Sequence, residues 1–458
     1  MLSMMKVVFF SYLCTTIEKL TNESVKMVQL PEEFLRQTRL TIGDELFERY
    51  LKAFEEEPPV SIRVNGAVAD SEVVGEAVPW CRNGYYLPNR PAFTFDPLLH
   101  AGCYYVQEAA SMFLDHVLRN LQHPTPNTQH SPHSTLHTPH STKILDLCAA
   151  PGGKSTILLS HLPEGSTLVS NEPNPKRAQI LSENLQKWML SDLRSSELKV
   201  KSEKLRVYVS NSYPKDIRKA KLTFDLILCD VPCSGEGMFR KDVDSIGEWS
   251  AENVEKCWRL QREIVADAWT CLRDGGHLIY STCTLNTKEN EENVRWMMEE
   301  LDAEPVAIPI ETDWHITGSL LPHFTAPVYR FIPGVTRGEG LFMAVLRKKG
   351  DEKSKKIDLS KTTLKIIPND FLDAVAEAIE QQAPQIDLSY QQAIQFLRRE
   401  AIVLPSETPR GIVVVAFEGH PLGLAKNIGT RANNLYPKEW RIKSTHIPEK
   451  YEAILRHP

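Results

Sequence analysis

No two of the nine cysteines stand in a Cys-x-x-Cys spacing, which removes zinc ribbons and dithiol redox motifs from consideration. The nine (14, 81, 103, 148, 229, 233, 257, 271 and 283) are odd in number and widely spread, so the expectation is free thiols in a reducing cytoplasm rather than a disulfide framework. No apolar run reaches 18 residues, and no membrane-spanning helix is expected. Charge of one sign does not dominate either. The net charge of −6 means that contact with a polyanion has to come from local patches. "MKVVFFSYLC" is too short for a secretory leader and has no clear small-residue cleavage site nearby. Met27 opens "MVQLPEEFLRQT", which reads as a natural helical beginning, so residues 1–26 are expected to be an extension.

A chain of 458 residues exceeds one ordinary core, and its texture changes along its length. Residues 27–60 read as helical, with apolar positions at Phe34, Leu40, Leu46, Tyr50 and Leu51. They open an N-terminal accessory domain of mixed α+β character over 27–95. A central domain is expected over 96–348, interrupted by a low-complexity insertion at 122–142. The five histidines of the insertion are irregularly spaced and separated by prolines, so a surface insertion is expected there and no metal site. "KILDLCAAPGGKS", "STLVSNEP", "LRVYVSN", "FDLILCDVP" and "GGHLIYSTC" read as five strands separated by helical segments. That alternation implies right-handed crossovers and a doubly wound parallel sheet. A charged linker at 349–364 leads to a β-rich C-terminal domain over 365–458. From Pro421 onward this domain holds seven Lys or Arg against three Glu, a local excess of four positive charges suited to phosphates.

In such a sheet, ligands bind beyond the carboxyl ends of the strands, and the unusual residues fall there. Strand one ends in "AAPGGKS", whose glycines bring backbone close to a ligand at a helix N-terminus. A phosphate-binding P-loop would need glycine at position 148, where Cys148 stands, and no Gly-x-Gly-x-x-Gly is present. Glu172 ends strand two about twenty residues later, where a carboxylate accepts hydrogen bonds from a ribose diol. Strand four ends in Asp230, with Cys233 three residues on after a proline, and strand five ends in Cys283. If these strands are neighbours, two thiols and a carboxylate converge beside a nucleoside-containing cofactor.

"LDLCAAPGGKS", "DVPCSGEGMFRKD", "YSTCTLNTKENEENV" and "GEGLFMAVLRK" together resemble the RNA cytosine carbon-5 methyltransferases of the Sun and nucleolar-protein type, closest to the bacterial ribosomal RNA branch. The likeness runs from about Leu30 to Ser444 and includes "RVN", "HAGCYYVQEAAS" and the tail "PLGLAKNIGTRANNLYP". The resemblance implies a Rossmann-like catalytic domain using S-adenosylmethionine, with a C-terminal module like that of pseudouridine synthases. It implies Cys283 as the nucleophile, Cys233 as the residue that assists product release, and Asp230 as a hydrogen-bonding partner of the base edge. DNA enzymes of this chemistry use the cysteine of the "PC" motif instead, so the two-thiol arrangement implies RNA. The cofactor residues carried over are Cys148, Ala149, Ala150, Pro151, Gly152, Gly153, Lys154, Glu172, Arg177, Asn211, Tyr213 and Asp230.

Two departures stand out. Tyr213 replaces the aspartate that contacts adenine in the family, leaving Asn211, Ser212, Asp216 or stacking on Tyr213 itself to serve the base. "FIPGVTRGEG" carries Gly334 where family members often have histidine. Arg240, Lys241, Lys426 and Arg431 are the expected phosphate contacts, with an unpaired or flipped base as target. The expected partner is RNA, a ribosomal RNA or ribosomal subunit, with the protein acting as a monomer without a membrane or a metal. A transfer RNA substrate, or a non-catalytic assembly factor of the same fold, are the alternatives.

Overall fold

The structure, a computed structural model, describes residues 29–68, 71–122, 142–194, 205–352, 357–359, 362–444, 446–448 and 451–456. The expected extension at 1–26 and nearly all of the insertion lie outside these residues. The first helix, α1 (Glu32–Lys52), is interrupted at Gly43, whose φ of +78° is left-handed. Phe34 and Tyr50 are buried as its periodicity predicts, but Leu40 is 75% exposed. Next come β1 (Val60–Val64), β2 (Glu72–Val73), β3 (Glu76–Ala77), β4 (Gly84–Leu87), α2 (Pro97–His100) and β5 (Tyr104–Val106). They give an antiparallel sheet in the order β3-β4-β1-β5. Because β5 pairs with β1, the N-terminal sheet extends past the expected boundary at residue 95.

The central domain begins with α3 (Phe113–Gln122) and continues through β6 (Lys143–Asp146), α4 (Gly153–Ser160), β7 (Thr167–Asn171), α5 (Pro175–Leu190), β8 (Arg206–Ser210) and α6 (Pro214–Lys219). After β9 (Phe224–Asp230) come α7 (Asp244–Glu248), α8 (Ala251–Cys271), β10 (Leu272–Thr282), α9 (Glu291–Glu300), β11 (Ala303–Pro305), β12 (Tyr329–Phe331) and β13 (Leu341–Lys348). Helix starts follow local chemistry. Asn174 accepts the Lys176 and Arg177 N–H groups ahead of Pro175, and Ser250 accepts the Asn253 N–H.

All five expected strands are parallel and ordered β10-β9-β6-β7-β8. Alternate residues face opposite layers. Ile144, Leu226 and Leu228 pack toward α3, α4 and α5, while Leu145, Ile227 and Cys229 pack toward α6, α8 and α9. The chain winds one way from β6 through β8 and the other way from β9 to β10, so the switch point lies between β6 and β9. Antiparallel β13 extends the sheet beyond β10, with β11 and β12 alongside it.

Of the expected linker's described residues, Ile357 and Leu364 are buried in the core of the central domain, and β14 (Ile366–Ile367) just beyond it pairs with the edge strand β8. The C-terminal domain then contributes α10 (Asp370–Glu380), β15 (Gln385–Asp387), α11 (Tyr390–Leu397), β16 (Gly411–Phe417), β17 (His420–Asn427) and β18 (Ala432–Asn434), forming the sheet β15-β16-β17-β18. Its core merges with that of the N-terminal sheet: Ile62, Val64 and Leu98 pack with Phe396, Val413 and Leu422. The final strand β19 (Leu455–Arg456) pairs back onto β2.

Helix α1 belongs to neither accessory sheet. It packs on Phe239, Trp249, Leu285 and Ile332 of the central domain. Gly334 explains one departure from the family, because it has φ +78° and a Cβ there would lie 2.2 Å from the Arg49 carbonyl. Only glycine lets this turn approach the end of α1 so closely.

Candidate active site at the carboxyl ends of the central strands

Residues Cys148–Lys154 leave β6 and enter α4, Glu172 follows β7, Asn211–Tyr213 follow β8, Asp230 ends β9 and Cys283 follows β10. Ser281 is in register with Asp230 across the β9–β10 pair, which sets the two thiol-bearing turns side by side. The Cys233 and Cys283 sulfurs are 3.2 Å apart, far beyond a disulfide bond length and within hydrogen-bonding contact. The Cys283 N–H points at the Cys233 sulfur at 3.4 Å. The hydrogen bond to Cys283, followed by burial, pushes the Cys233 thiol well above the ordinary cysteine range. The two thiols therefore share one short contact in which either sulfur can donate to the other. Gly237 secures the turn from below: its N–H donates to the Cys283 carbonyl at 2.6 Å, and a Cβ at that position would overlap the same oxygen.

Lys154 reaches across from α4 to Asp230, Nζ to Oδ2 2.9 Å. Burial alone would depress the ammonium, but Asp230, with Cys283 and Asp146, offsets it, and the group is held above the usual lysine value. The cation and its carboxylate thus occupy the switch point between β6 and β9. Arg177 turns inward to the cofactor loop, donating to the Ala150 carbonyl at 2.8 Å, with Nη1 3.6 Å from Glu172. Burial raises the Glu172 carboxyl and Arg177 opposes the shift. Asn211 donates to the Glu172 and Pro173 carbonyls, a structural use of its amide. Tyr213 is 57% exposed, with the Lys215 ammonium 5.5 Å from its ring centre. Cys148 is a half-buried thiol whose pKa desolvation pushes well up, which leaves it chemically quiet.

The donor set fits S-adenosylmethionine. No side chain caps α4, so its first N–H groups are available to a carboxylate. Glu172 accepts the Asn174 N–H and retains acceptor capacity toward a diol. Tyr213 offers an aromatic face beyond β8. The N-terminal domain braces this loop from behind. Arg63 of the "RVN" stretch hydrogen-bonds Thr156 on α4, stacks its guanidinium 4.3 Å from the Trp188 ring and donates to Gln107 at 3.0 Å.

The expectation for Arg240 needs correction. Its side chain is 6% exposed and pairs with Glu339 at 2.9 Å, with a second bond to the Glu56 carbonyl. It joins the Gly-Glu-Gly turn to the segment after α1 and is not free to meet a phosphate. Lys241 beside it is exposed, as are Lys426 on β17 and Arg431 in the turn before β18. Some participants escape sequence reading. Asp146 is fully buried at the end of β6, bonded to Ser155 at 2.7 Å, and burial pushes its carboxyl up to about 7. Its only signal was an acidic residue in an apolar run. Glu289 and Glu291 sit in a charged string that reads as solvent-facing, yet both are buried.

Comparison with known proteins agrees with this geometry. A family model described as 16S rRNA methyltransferase RsmB/F matches residues 133–347. The N-terminal domain of 16S rRNA methyltransferase RsmF matches 30–109, and the methyltransferase RsmF PUA domain matches 383–442. Ribosomal RNA small subunit methyltransferase F of Erwinia tasmaniensis is 26% identical, covering 90% of this chain and 97% of that protein. Its counterpart in Citrobacter koseri is 27% identical, covering 90% and 96%. A solved methyltransferase homolog from Pyrococcus horikoshii shares the fold, with a TM-score of 0.53 at 24% identity over 71% of this chain and 100% of that one. The chain therefore belongs to the RsmB/F, Sun-type family of S-adenosylmethionine-dependent RNA methyltransferases.

Proposed function

We propose that the protein methylates carbon 5 of a cytosine in small-subunit ribosomal RNA through a covalent adduct on Cys283. The observation that carries this reading is the 3.2 Å contact between two thiols at neighbouring strand ends, with Lys154 and Asp230 beside them. Carbon 5 of cytosine is a poor nucleophile. Addition of the Cys283 thiolate to carbon 6 breaks the ring double bond and moves its electron pair toward carbon 5. Lys154, anchored by Asp230, supplies N–H donors for the negative charge that builds on the base, while Asp230 meets the base edge. S-adenosylmethionine, when bound, supplies an electrophilic sulfonium methyl. Cys148 to Lys154, Glu172, Arg177 and Tyr213 form its pocket.

Release requires loss of the carbon-5 proton. Its electron pair restores the double bond, the carbon 6–sulfur bond breaks, and Cys283 leaves. Cys233, in contact with that sulfur, gives it a proton and takes the carbon-5 proton in exchange. Lys241, Lys426 and Arg431, all exposed, meet phosphates of the RNA. The enzyme works on cytoplasmic RNA as a monomer.

The small-subunit assignment rests on the names of the relatives and on the matching domains at both ends of the chain. The test is to incubate the enzyme with methyl-labelled cofactor and unmodified small-subunit RNA, assembled subunits or transfer RNA, then digest to nucleosides and analyse by mass spectrometry. Labelled 5-methylcytidine from the ribosomal substrates alone is expected. Label only in transfer RNA, or in another nucleoside, would refute the assignment.

A further inference from the structure

The residue after each thiol is tied to the other turn by side chains that the chemistry above leaves without a role. Ser234 follows Cys233 and Thr284 follows Cys283; both are buried, and their hydroxyls are 2.9 Å apart. Beneath them, one oxygen of Glu289 accepts the Ser234 N–H at 3.1 Å and the Gln261 amide at 2.6 Å. The other oxygen accepts the Asn286 amide at 2.9 Å. Gln261, on α8, also donates to the Pro232 carbonyl at 2.9 Å, immediately before Cys233. Asn286 also donates to the Thr284 hydroxyl at 2.9 Å. One carboxylate therefore gathers residues 232–234 and 284–286 around the two sulfurs.

The choice of a carboxylate follows from the donors. Three N–H groups converge on Glu289, and an ionised carboxyl is acceptor-only. A neutral amide of the same shape would turn a donor of its own toward one of them. Burial pushes the Glu289 carboxyl up to about 7, the Ser234 and Asn286 bonds pull it down, and the nearby Glu236 carboxyl pushes it up again. Glu236, three residues beyond Cys233, makes a second tie between the turns, accepting the Leu285 N–H at 2.7 Å, the Asn286 N–H at 3.0 Å and the Trp249 indole N–H at 3.0 Å. Arg330 holds the Cys283 side, through the Leu285 carbonyl. Glu236 and Gly237 thus fix the far end of the Cys233 turn, whereas the residues on either side of the sulfur, Pro232 and Ser234, are held through Gln261, Glu289 and the hydroxyl pair.

We propose that Glu289 is a positioning residue for product release, keeping the Cys233 turn against the Cys283 turn so that the two sulfurs stay in contact while the adduct breaks. This rests on the roles assigned above to the thiols. Attack on carbon 6 needs only Cys283, and release needs both sulfurs, so loosening the clasp slows release selectively.

The test compares wild type, Glu289→Gln, Ser234→Ala, Cys233→Ala and Cys283→Ala on unmodified small-subunit RNA with S-adenosylmethionine. Denaturing gels read the RNA-linked protein, and single-turnover and steady-state methyl transfer are measured in parallel. Glu289→Gln is expected to raise the ribonuclease-sensitive, slow-migrating band at least tenfold over wild type. Its steady-state rate should fall about tenfold while its single-turnover rate stays within threefold. Ser234→Ala, which removes only the hydroxyl, should shift the same ratio in the same direction by a smaller factor, and it carries the test if Glu289→Gln fails to fold. Equal loss of both rates without a band, or an unchanged ratio in both variants, would overturn the inference. Absence of a band from Cys233→Ala would overturn the thiol roles themselves, which separates the two failures.

Discussion

Arg330 offers a quantitative test of how the Cys283 turn is supported. It and Glu291 are both fully buried, and the guanidinium grips the carboxylate at 2.7 and 2.6 Å while Nη1 donates to the Leu285 carbonyl. Glu291 also accepts the Leu320 N–H at 3.0 Å. Arg330→Met keeps the volume and removes the cation, leaving a carboxylate in the interior with one neutral donor. Breaking a buried pair in this way costs about 3–5 kcal/mol, and replacing both partners by apolar groups costs far less. For a cooperative unit of this size that corresponds to a drop on the order of 10 °C in melting temperature. Arg330→Met, Glu291→Leu and the double variant would be compared by differential scanning fluorimetry and by urea titration. Each single change is expected to destabilise strongly, and the double variant should recover at least half of the larger loss. A double variant as unstable as the sum of the singles would refute the reasoning, as would a single variant melting within a degree or two of wild type.

Asp146→Asn should change the pH profile of stability. With its carboxyl held near 7 against an ordinary value of 3.8, the folded state binds the extra proton between about pH 4 and 7. Stability therefore falls as pH rises through that window, and the asparagine variant escapes the fall, gaining on wild type by on the order of 2–4 kcal/mol between pH 5 and 8. Parallel urea midpoints at both pH values would exclude this. Arg240→Ala, which strands the buried Glu339, should lower stability by about 3 kcal/mol, whereas Lys241→Ala should leave melting unchanged and reduce the salt slope of RNA binding by about one; interchanged effects would reverse the assignment. Tyr213→Ala, read by calorimetry, should weaken S-adenosylmethionine binding roughly fivefold, about 1 kcal/mol of stacking. An unchanged affinity would remove Tyr213 from the adenine pocket.

The strands with both faces covered were legible because their apolar runs are short, bounded by glycine or proline, and separated by helices. Their ends carried the site for the same reason: a polar residue closing an apolar run, such as Asp230 or Cys283, has only the crevice to face. Strand order could not be read this way, since it depends on the crossover between β8 and β9 that places β9 beside β6. The edge strand β14 was hidden because two residues carry no period. Glu289 illustrates a different limit. A run of charges reads as solvated, and two of its three donors lie 28 and 55 residues away in sequence, on α8 and after β9. Arg240 erred in the opposite sense: a basic residue beside a site reads as a phosphate contact until Glu339, 99 residues on, is found against it.

The central claim is that Cys283 attacks the base and Cys233 releases it. The direct measurement is tandem mass spectrometry of the nuclease- and protease-digested adduct formed by Cys233→Ala with small-subunit RNA and S-adenosylmethionine. The account predicts a methylated cytidine nucleotide attached to the peptide containing Cys283, and no adduct from Cys283→Ala. A nucleotide on any other residue, or an adduct that survives in Cys283→Ala, would contradict it.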